Sequence, residues 1–281
     1  MPVRKVVIPT AGWGVRLLPI TKAVPKVMLP VGKKPVVQYV VDEAVLAGID
    51  QIIFITGRGE EIIKRHFSPD HDLRLHLGKK RERESLHELE FEKIPLHYYY
   101  IRQDQPRGLG NAILQAQDQV EDDIFAVALG DTIMDHPPGN SIIRNLAMIQ
   151  EERNAAAVLA VEYKEKSRIS QYGVIDPVSD MEGNVADIKG VVEKPDPSQA
   201  PSCYAIAARY IFTPDIFDAL EGAAPEGKGE WELTDAINLL VKKGMRVCAV
   251  LLGEGCQRHD VGHFDSYFRA FQEFSVREKE R

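Results

Sequence analysis

Apolar positions along this 281-residue chain fall into two rhythms. Short, β-branched runs at 5–8, 51–56, 96–102 and 124–129 read as strands. Between them, 36–47, 60–66 and 109–119 repeat their apolar residues every three or four positions and read as helices. Strands alternating with helices predict right-handed crossovers and an α/β fold: a mostly parallel, Rossmann-like twisted central sheet flanked by helices. Ligands in such sheets collect beyond the carboxyl ends of the strands. The residues that follow these runs therefore matter: Gly12 and Gly14 after the first, Gln103 after the third, Gly130 and Asp131 after the fourth.

Past Ala155 the pattern becomes strand-rich, through AAAVLAVEY, QYGVIDPV, VADIKGVVEKP and SCYAIAARYIF. Glu-Gly-Asn within 181–184 predicts a hairpin turn. WELTDAINLLVKKG predicts an amphipathic helix capped by Thr234 or a residue before it, and 263–280 a terminal helix. Residues 70–93 intersperse charges of both signs and read as an exposed helical excursion with a solvated face. The expectation is one domain, with a first half over about 1–154 and a strand-rich extension over about 155–281.

A hydrophobic content of 44% is enough for a core. A net charge of -7 and eight scattered His argue against a nucleic-acid partner, which calls for a dominant basic face. Arg4 and Lys5 lead straight into a strand, with no apolar run long enough for a signal peptide or membrane span, so a cytoplasmic protein without a membrane partner is expected. Cys203, Cys248 and Cys256 are odd in number and form no CxxC, which indicates neither a disulfide framework nor a zinc site.

One region reverses the overall sign. Residues 1–41 contain no Asp or Glu but carry Arg4, Lys5, Arg16, Lys22, Lys26, Lys33 and Lys34. A strand feeding a glycine- and cation-rich loop is a phosphate site in prospect. Its glycines permit close backbone approach, and Arg16 and Lys26 can neutralise phosphates. Two common nucleotide motifs do not account for it: Leu17 breaks GxGxxG after Gly12 and Gly14, and the loop carries no GxxxxGK. Prolines at 19 and 25 also disfavour an immediate helix.

The segment AGWGVRLLPITKAVPKVMLP closely resembles the signature of the sugar-phosphate nucleotidyltransferase family, AGxGTRLxPxTxxxPKxMLP, on its branch that acts on UTP and glucose 1-phosphate. Val15 is a departure, since the family usually has Thr there. The resemblance continues through RQDQPRGLGNAI, ALGDTIMD, QYGVI, VVEKP and RHDVGHFDSY, over nearly the whole chain. It implies a Mg²⁺-dependent transfer of the uridylyl group from UTP to glucose 1-phosphate, by a homodimer or homotetramer. By the same resemblance Ala11, Gly12 and Gly14 bind the nucleotide, while Gln103 and the backbone of Gly108 read the pyrimidine edge. Arg16 and Lys26 serve the phosphates, and Asp131 and Asp260 hold the metal. Gly173, Glu193 and Ile206 belong to the sugar, and Lys194 to its phosphate. Where the family often has Asn three residues beyond the second Asp, this chain has His263. A thymidylyltransferase or another nucleotide-sugar pyrophosphorylase on the same scaffold is the rival activity, and a catalytically silent nucleotide-sugar sensor the rival class.

Overall fold

Val6 and Val7 are neighbours on one strand, point to opposite faces, and are both fully buried. That two-sided burial is why the first strands read as apolar runs and not as alternation. The computed structural model describes residues 2–225, 227 and 229–279. Its strands are β1 (Lys5–Pro9), β2 (Pro30–Val31), β3 (Lys34–Pro35), β4 (Gln51–Thr56), β5 (His97–Arg102), β6 (Phe125–Ala128), β7 (Thr132–Asp135), β8 (Ala157–Tyr163), β9 (Gly173–Pro177), β10 (Val185–Glu193), β11 (Tyr204–Phe212), β12 (Val247–Leu251) and β13 (Gln257–Asp260).

Nine of these form one sheet in the order β5-β4-β1-β6-β11-β8-β12-β10-β9. On one face Val6, Ile8, Ile52 and Phe54 pack with helices Val36–Ala47 and Ile142–Arg153. On the other, Val7, Ile53, Ile55 and Val127 pack with helices Leu109–Leu114, Asp215–Gly222 and Leu233–Lys242.

The sheet is mixed, which corrects the expectation of a mostly parallel, Rossmann-like one. β5, β4, β1 and β6 do run parallel. Beyond β6 the pairings with β11, β8, β10 and β9 are antiparallel, and only β8 with β12 is parallel. Connection length is the physical reason: parallel neighbours need a crossover of roughly a dozen residues or more, and the short link 178–184 permits only a hairpin between β9 and β10. Within that link Glu182 bridges Val185 and Gly183 takes a positive φ of 64°, as a tight turn requires. Ala205 also pairs with Val174, so β11, β8, β12, β10 and β9 close into a ring.

One local expectation changes and two are refined. The stretch read as one helix over 109–119 is two, Leu109–Leu114 and Gln117–Val120, because Ala116 donates to Ile113 in an i−3 bond that tightens the turn. Of the two positions offered for the cap, it is a residue before Thr234 that holds it: Glu232 is the N-cap, without a side-chain hydrogen bond, and Thr234 lies inside, 6% exposed. The charged excursion resolves into helices His71–Lys80 and Arg83–His87 with a 3₁₀ turn, Asp70 accepting from the Leu73 amide at 2.9 Å. The terminal helix spans Phe264–Lys279, and the expected end at Glu280 lies outside the described residues. Among the described residues no helix is long and apolar enough to cross a membrane.

Candidate active site

β1 ends at Pro9 and the chain enters the cationic loop. Thr10 anchors the exit by donating its amide and hydroxyl to the Ile55 carbonyl, both at 2.8 Å. Proline-broken 3₁₀ turns follow at Val15–Leu17, Ile20–Lys22 and Lys26–Met28, in place of a helix. Gly14 sits at φ 62°, its carbonyl accepting from Thr21 Oγ1 at 2.8 Å, and a Cβ there would lie 2.9 Å from Thr21 Cγ2. The loop thereby folds Lys26 back over Gly12.

Lys26 Nζ donates to Asp131 Oδ2 in a short, largely buried ion pair. Burial opposes the charge on both groups and is the largest single influence on each. Their mutual attraction outweighs it: Asp131, aided by Asp260, holds the Lys26 pKa above that of an ordinary amine, and Lys26 holds Asp131 below the usual carboxylate range. Both are charged at neutral pH.

Asp131 and Asp260 come together through a small ladder. β7 pairs antiparallel with β13, Thr132 opposite Asp260, and the Val261 amide donates to the Asp131 carbonyl at 2.9 Å. Asp260 Oδ1 accepts from the Gly262 amide at 2.7 Å, an approach that a Cβ at residue 262 would obstruct at 2.8 Å.

Two cavities meet at these carboxylates. The larger, about 530 Å³, is walled by Ala11, Gly12, Gly14, Arg16, Lys26, Gln103, Gly108, Asp131 and Asp260 among others. The smaller, about 230 Å³, is walled by Gly173, Glu193, Ile206, Arg258, Thr234, Asp131 and Asp260 among others. A third space of about 500 Å³ adjoins the larger one across Ala11, Gly12, Trp13 and Gln103. The sequence-predicted residues thus gather in two groups around one shared pair, with one exception. Lys194 is not on either wall; its Nζ lies 2.9 Å from Glu193 Oε1, and that hydrogen bond raises its pKa. His263 lines neither cavity either, and its carbonyl accepts from the Tyr267 amide as the terminal helix begins.

Gln103 is 6% exposed, fixed by its amide on the Thr56 carbonyl and by Nε2 on Asn111 Oδ1 at 2.7 Å. Gly108 has φ 104°, and a Cβ there would sit 2.7 Å from both the amide and the carbonyl oxygen of Trp231. Trp231 straps this segment, accepting from Gly110 at 2.8 Å and donating to Arg107 at 2.7 Å. In the smaller cavity a Cβ on Gly173 would meet Glu193 Oε2, Ile206 Cδ1 and Thr234 Cγ2 at 3.1 to 3.3 Å, so these residues are already in contact around the glycine.

Sequence reasoning missed several wall residues. Arg258, on the wall of the smaller cavity, is paired with Glu162 at 2.6 Å and stacked 4.7 Å over the Tyr172 ring. It stands two residues before Asp260, a strand spacing that puts both on one face. Thr234 Oγ1 is buried in the same wall with no hydrogen-bond partner.

The Nucleotidyl transferase family model matches residues 5–276. A UTP–glucose-1-phosphate uridylyltransferase of Bacillus subtilis (strain 168) is 40% identical over 279 residues, covering 99% of this chain and 93% of that protein. A UTP-bound UGPase structure from Acinetobacter baumannii superposes with TM-score 0.89 at 32% identity, covering 99% of this chain and 98% of that one. A UDP-glucose pyrophosphorylase complexed with UDP-glucose gives 0.85 at 32% identity, covering 99% and 100%. Matched from its first strand to its terminal helix, the chain belongs to the nucleotidyl transferase family.

Proposed function

We propose that the protein transfers the uridylyl group of UTP to glucose 1-phosphate, releasing pyrophosphate and forming UDP-glucose. The observation that carries this reading is the junction of the two cavities at Asp131 and Asp260. One cavity has glycine-rich and cationic walls suited to a nucleoside triphosphate, and the other has a carboxylate-lined wall suited to hydroxyls. The names of the similar proteins above, one structure with UTP and another with UDP-glucose, support the same division.

The attacking group is a phosphate oxygen of glucose 1-phosphate, already ionised, so no covalent enzyme intermediate is required. Its bond to the α-phosphorus of UTP forms in line as the bond to pyrophosphate breaks. Catalysis is then mainly positioning and charge neutralisation. Arg16 holds the leaving pyrophosphate and Lys26 the phosphates of both substrates, while Lys194, outside both walls and paired with Glu193, must turn from that partner to meet the attacking phosphate. Because Asp131 keeps Lys26 charged, its ammonium meets the phosphates without first gaining a proton. Ala11, Gly12 and Gly14 give the nucleotide close backbone approach. Gln103, whose amide both donates and accepts, reads uracil together with the Gly108 backbone. Gly173, Glu193 and Ile206 receive the sugar.

Two carboxylates fit magnesium, a hard cation that favours oxygen donors and completes its shell with phosphate and water. Asp131 and Asp260 would hold the ion, which when bound neutralises charge at the α-phosphate. On this reading the chain is one domain, about 1–154 serving the nucleotide and about 155–281 the sugar, cytoplasmic, and a homodimer or homotetramer.

The test is pyrophosphate release by the purified protein with Mg²⁺ and glucose 1-phosphate, comparing UTP, dTTP, ATP, CTP and GTP. UTP is expected to be preferred. A dTTP preference would move the activity to the thymidylyltransferase branch, and silence with every nucleotide would overturn the reading.

A further inference from the structure

Arg209 is the largest fully buried side chain among the described residues, and it lies directly behind the turn that carries Asp131. Its Nη1 donates to the Ala208 carbonyl at 3.0 Å, the same oxygen that accepts from the Leu129 amide at 3.2 Å. Its Nη2 donates to the Thr132 carbonyl at 2.9 Å. One arm of the guanidinium thus holds the Thr132 end of the turn Leu129–Gly130–Asp131–Thr132 directly, while the other supports the Ala208 carbonyl on which the Leu129 end rests. Across the turn Gly130 presses on β1, where a Cβ would meet the Pro9 carbonyl oxygen and Thr10 Cγ2 at 3.0 Å. Asp131 is clamped between the first strand and Arg209.

Glu43, 2% exposed on helix Val36–Ala47, accepts from Arg209 Nε at 2.8 Å and supplies the compensating charge. Its Oε1 is buried without a partner. A buried ion pair left partly unsatisfied is weak evidence for a stabilising role. Ala208 adds a second sign of imposed geometry. It has φ 60° at a bulge in β11, between Ile206 and Tyr210, and lines the smaller cavity. Non-glycine residues hold that conformation only where their surroundings fix it.

We propose that Arg209, held by Glu43, is a positioning residue that sets Asp131 for the metal and shapes the adjoining wall of the sugar cavity. This rests on the uridylyltransferase reading for its catalytic consequence, and on the metal site proposed at Asp131 and Asp260 for its effect on metal binding. A guanidinium suits the task because its planar fork reaches two carbonyls at fixed spacing, which an ammonium does not.

The test replaces both charges at once. Arg209→Met with Glu43→Leu leaves no unpaired buried ion, so folding should survive while the clamp is lost. Three quantities are compared with wild type: melting temperature, Mn²⁺ binding in the presence of UTP followed by electron paramagnetic resonance, and steady-state kinetics. The expected result is a folded protein with about tenfold or greater loss in both Mn²⁺ affinity and kcat, and with the KM for UTP little changed. Wild-type Mn²⁺ affinity and kcat in the folded double variant would overturn the proposal. Should the double variant not fold, Arg209→Lys decides: it keeps a partner for Glu43 but loses the fork, and wild-type values there would equally overturn it. If wild-type protein releases no pyrophosphate, the functional reading fails, and the comparison of Mn²⁺ binding without nucleotide decides the role of Arg209: equal affinity in wild type and variant overturns it.

Discussion

Lys26 and Asp131 form an ion pair across the floor of the larger cavity, joining the cationic loop to the turn after β6. Each holds the other in its charged state against burial. Asp131→Asn removes the carboxylate but keeps the shape, so the fold should remain. Turnover should fall about 10²-fold or more, because charge aimed at the transition state is lost. Pyrophosphate release beside a thermal melt measures both, and near-wild-type turnover would remove Asp131 from the mechanism.

The same pair makes a statement about pH. Asp131 has a depressed folded pKa, so its contribution is present above the ordinary carboxylate value and fades as pH falls through the folded one. Lys26 has a raised folded pKa, so its contribution is present below the ordinary amine value and fades as pH rises through the folded one. The stability difference between wild type and Asp131→Asn should therefore shrink in acid, as the Asp131 carboxylate is protonated. Denaturant melts at falling pH test it, and a difference that persists undiminished in strong acid would contradict the pairing.

His66 supplies an independent acid response. Burial between Phe67 and Phe91 lowers its pKa to about 4, so the unfolded chain binds the extra proton between that value and the ordinary 6.5. Acidification through this window should weaken the fold by on the order of 1–3 kcal/mol, and His66→Gln should remove that part of the slope. An unchanged slope in the variant would place the acid sensitivity elsewhere.

Gly108→Ala puts a methyl against the Trp231 backbone at 2.7 Å, in a residue whose φ is 104°. The strap must shift, and the KM for UTP should rise about tenfold, the size of loss that small misplacements in a binding site produce. Gly139→Ala is the control: its φ of 80° brings comparable backbone strain, but nothing lies within 4 Å of the new methyl. Equal KM values in the two variants would mean that the close approach does not matter to nucleotide binding.

Thr234→Val exchanges a buried, unpartnered hydroxyl for a methyl of the same shape. Removing an unsatisfied buried polar group should stabilise the ligand-free protein by about 1 kcal/mol. If the hydroxyl serves the sugar, the KM for glucose 1-phosphate should rise while that for UTP stays constant. A loss of stability with unchanged KM would show a packing role instead.

The parallel half of the sheet was legible because two-sided burial writes continuous apolar runs, as at 51–56, between amphipathic helices. The ring beyond β6 was not, because strand order depends on which edges meet, and no local pattern encodes Ala205 beside Val174. Asp131 was marked by its place after a strand, and its metal role and that of Asp260 were assigned singly, through resemblance. The ladder that joins them is short, and Gln-Arg-His-Asp has none of the apolar alternation that announces a strand. Arg258 escaped for the same reason. Trp231 escaped because it acts through its backbone, and Arg209 because its partner Glu43 lies 166 residues away.

The strap at Trp231 has a reach beyond Gly108. Glu230 lies on the wall of the larger cavity, and Glu232, Leu233 and Thr234 on that of the smaller. A single short length of chain is thus tailored to two guests at once. A displacement of this segment on one side would alter its fit on the other, and any coupling that followed between the two guests would be equal in both directions.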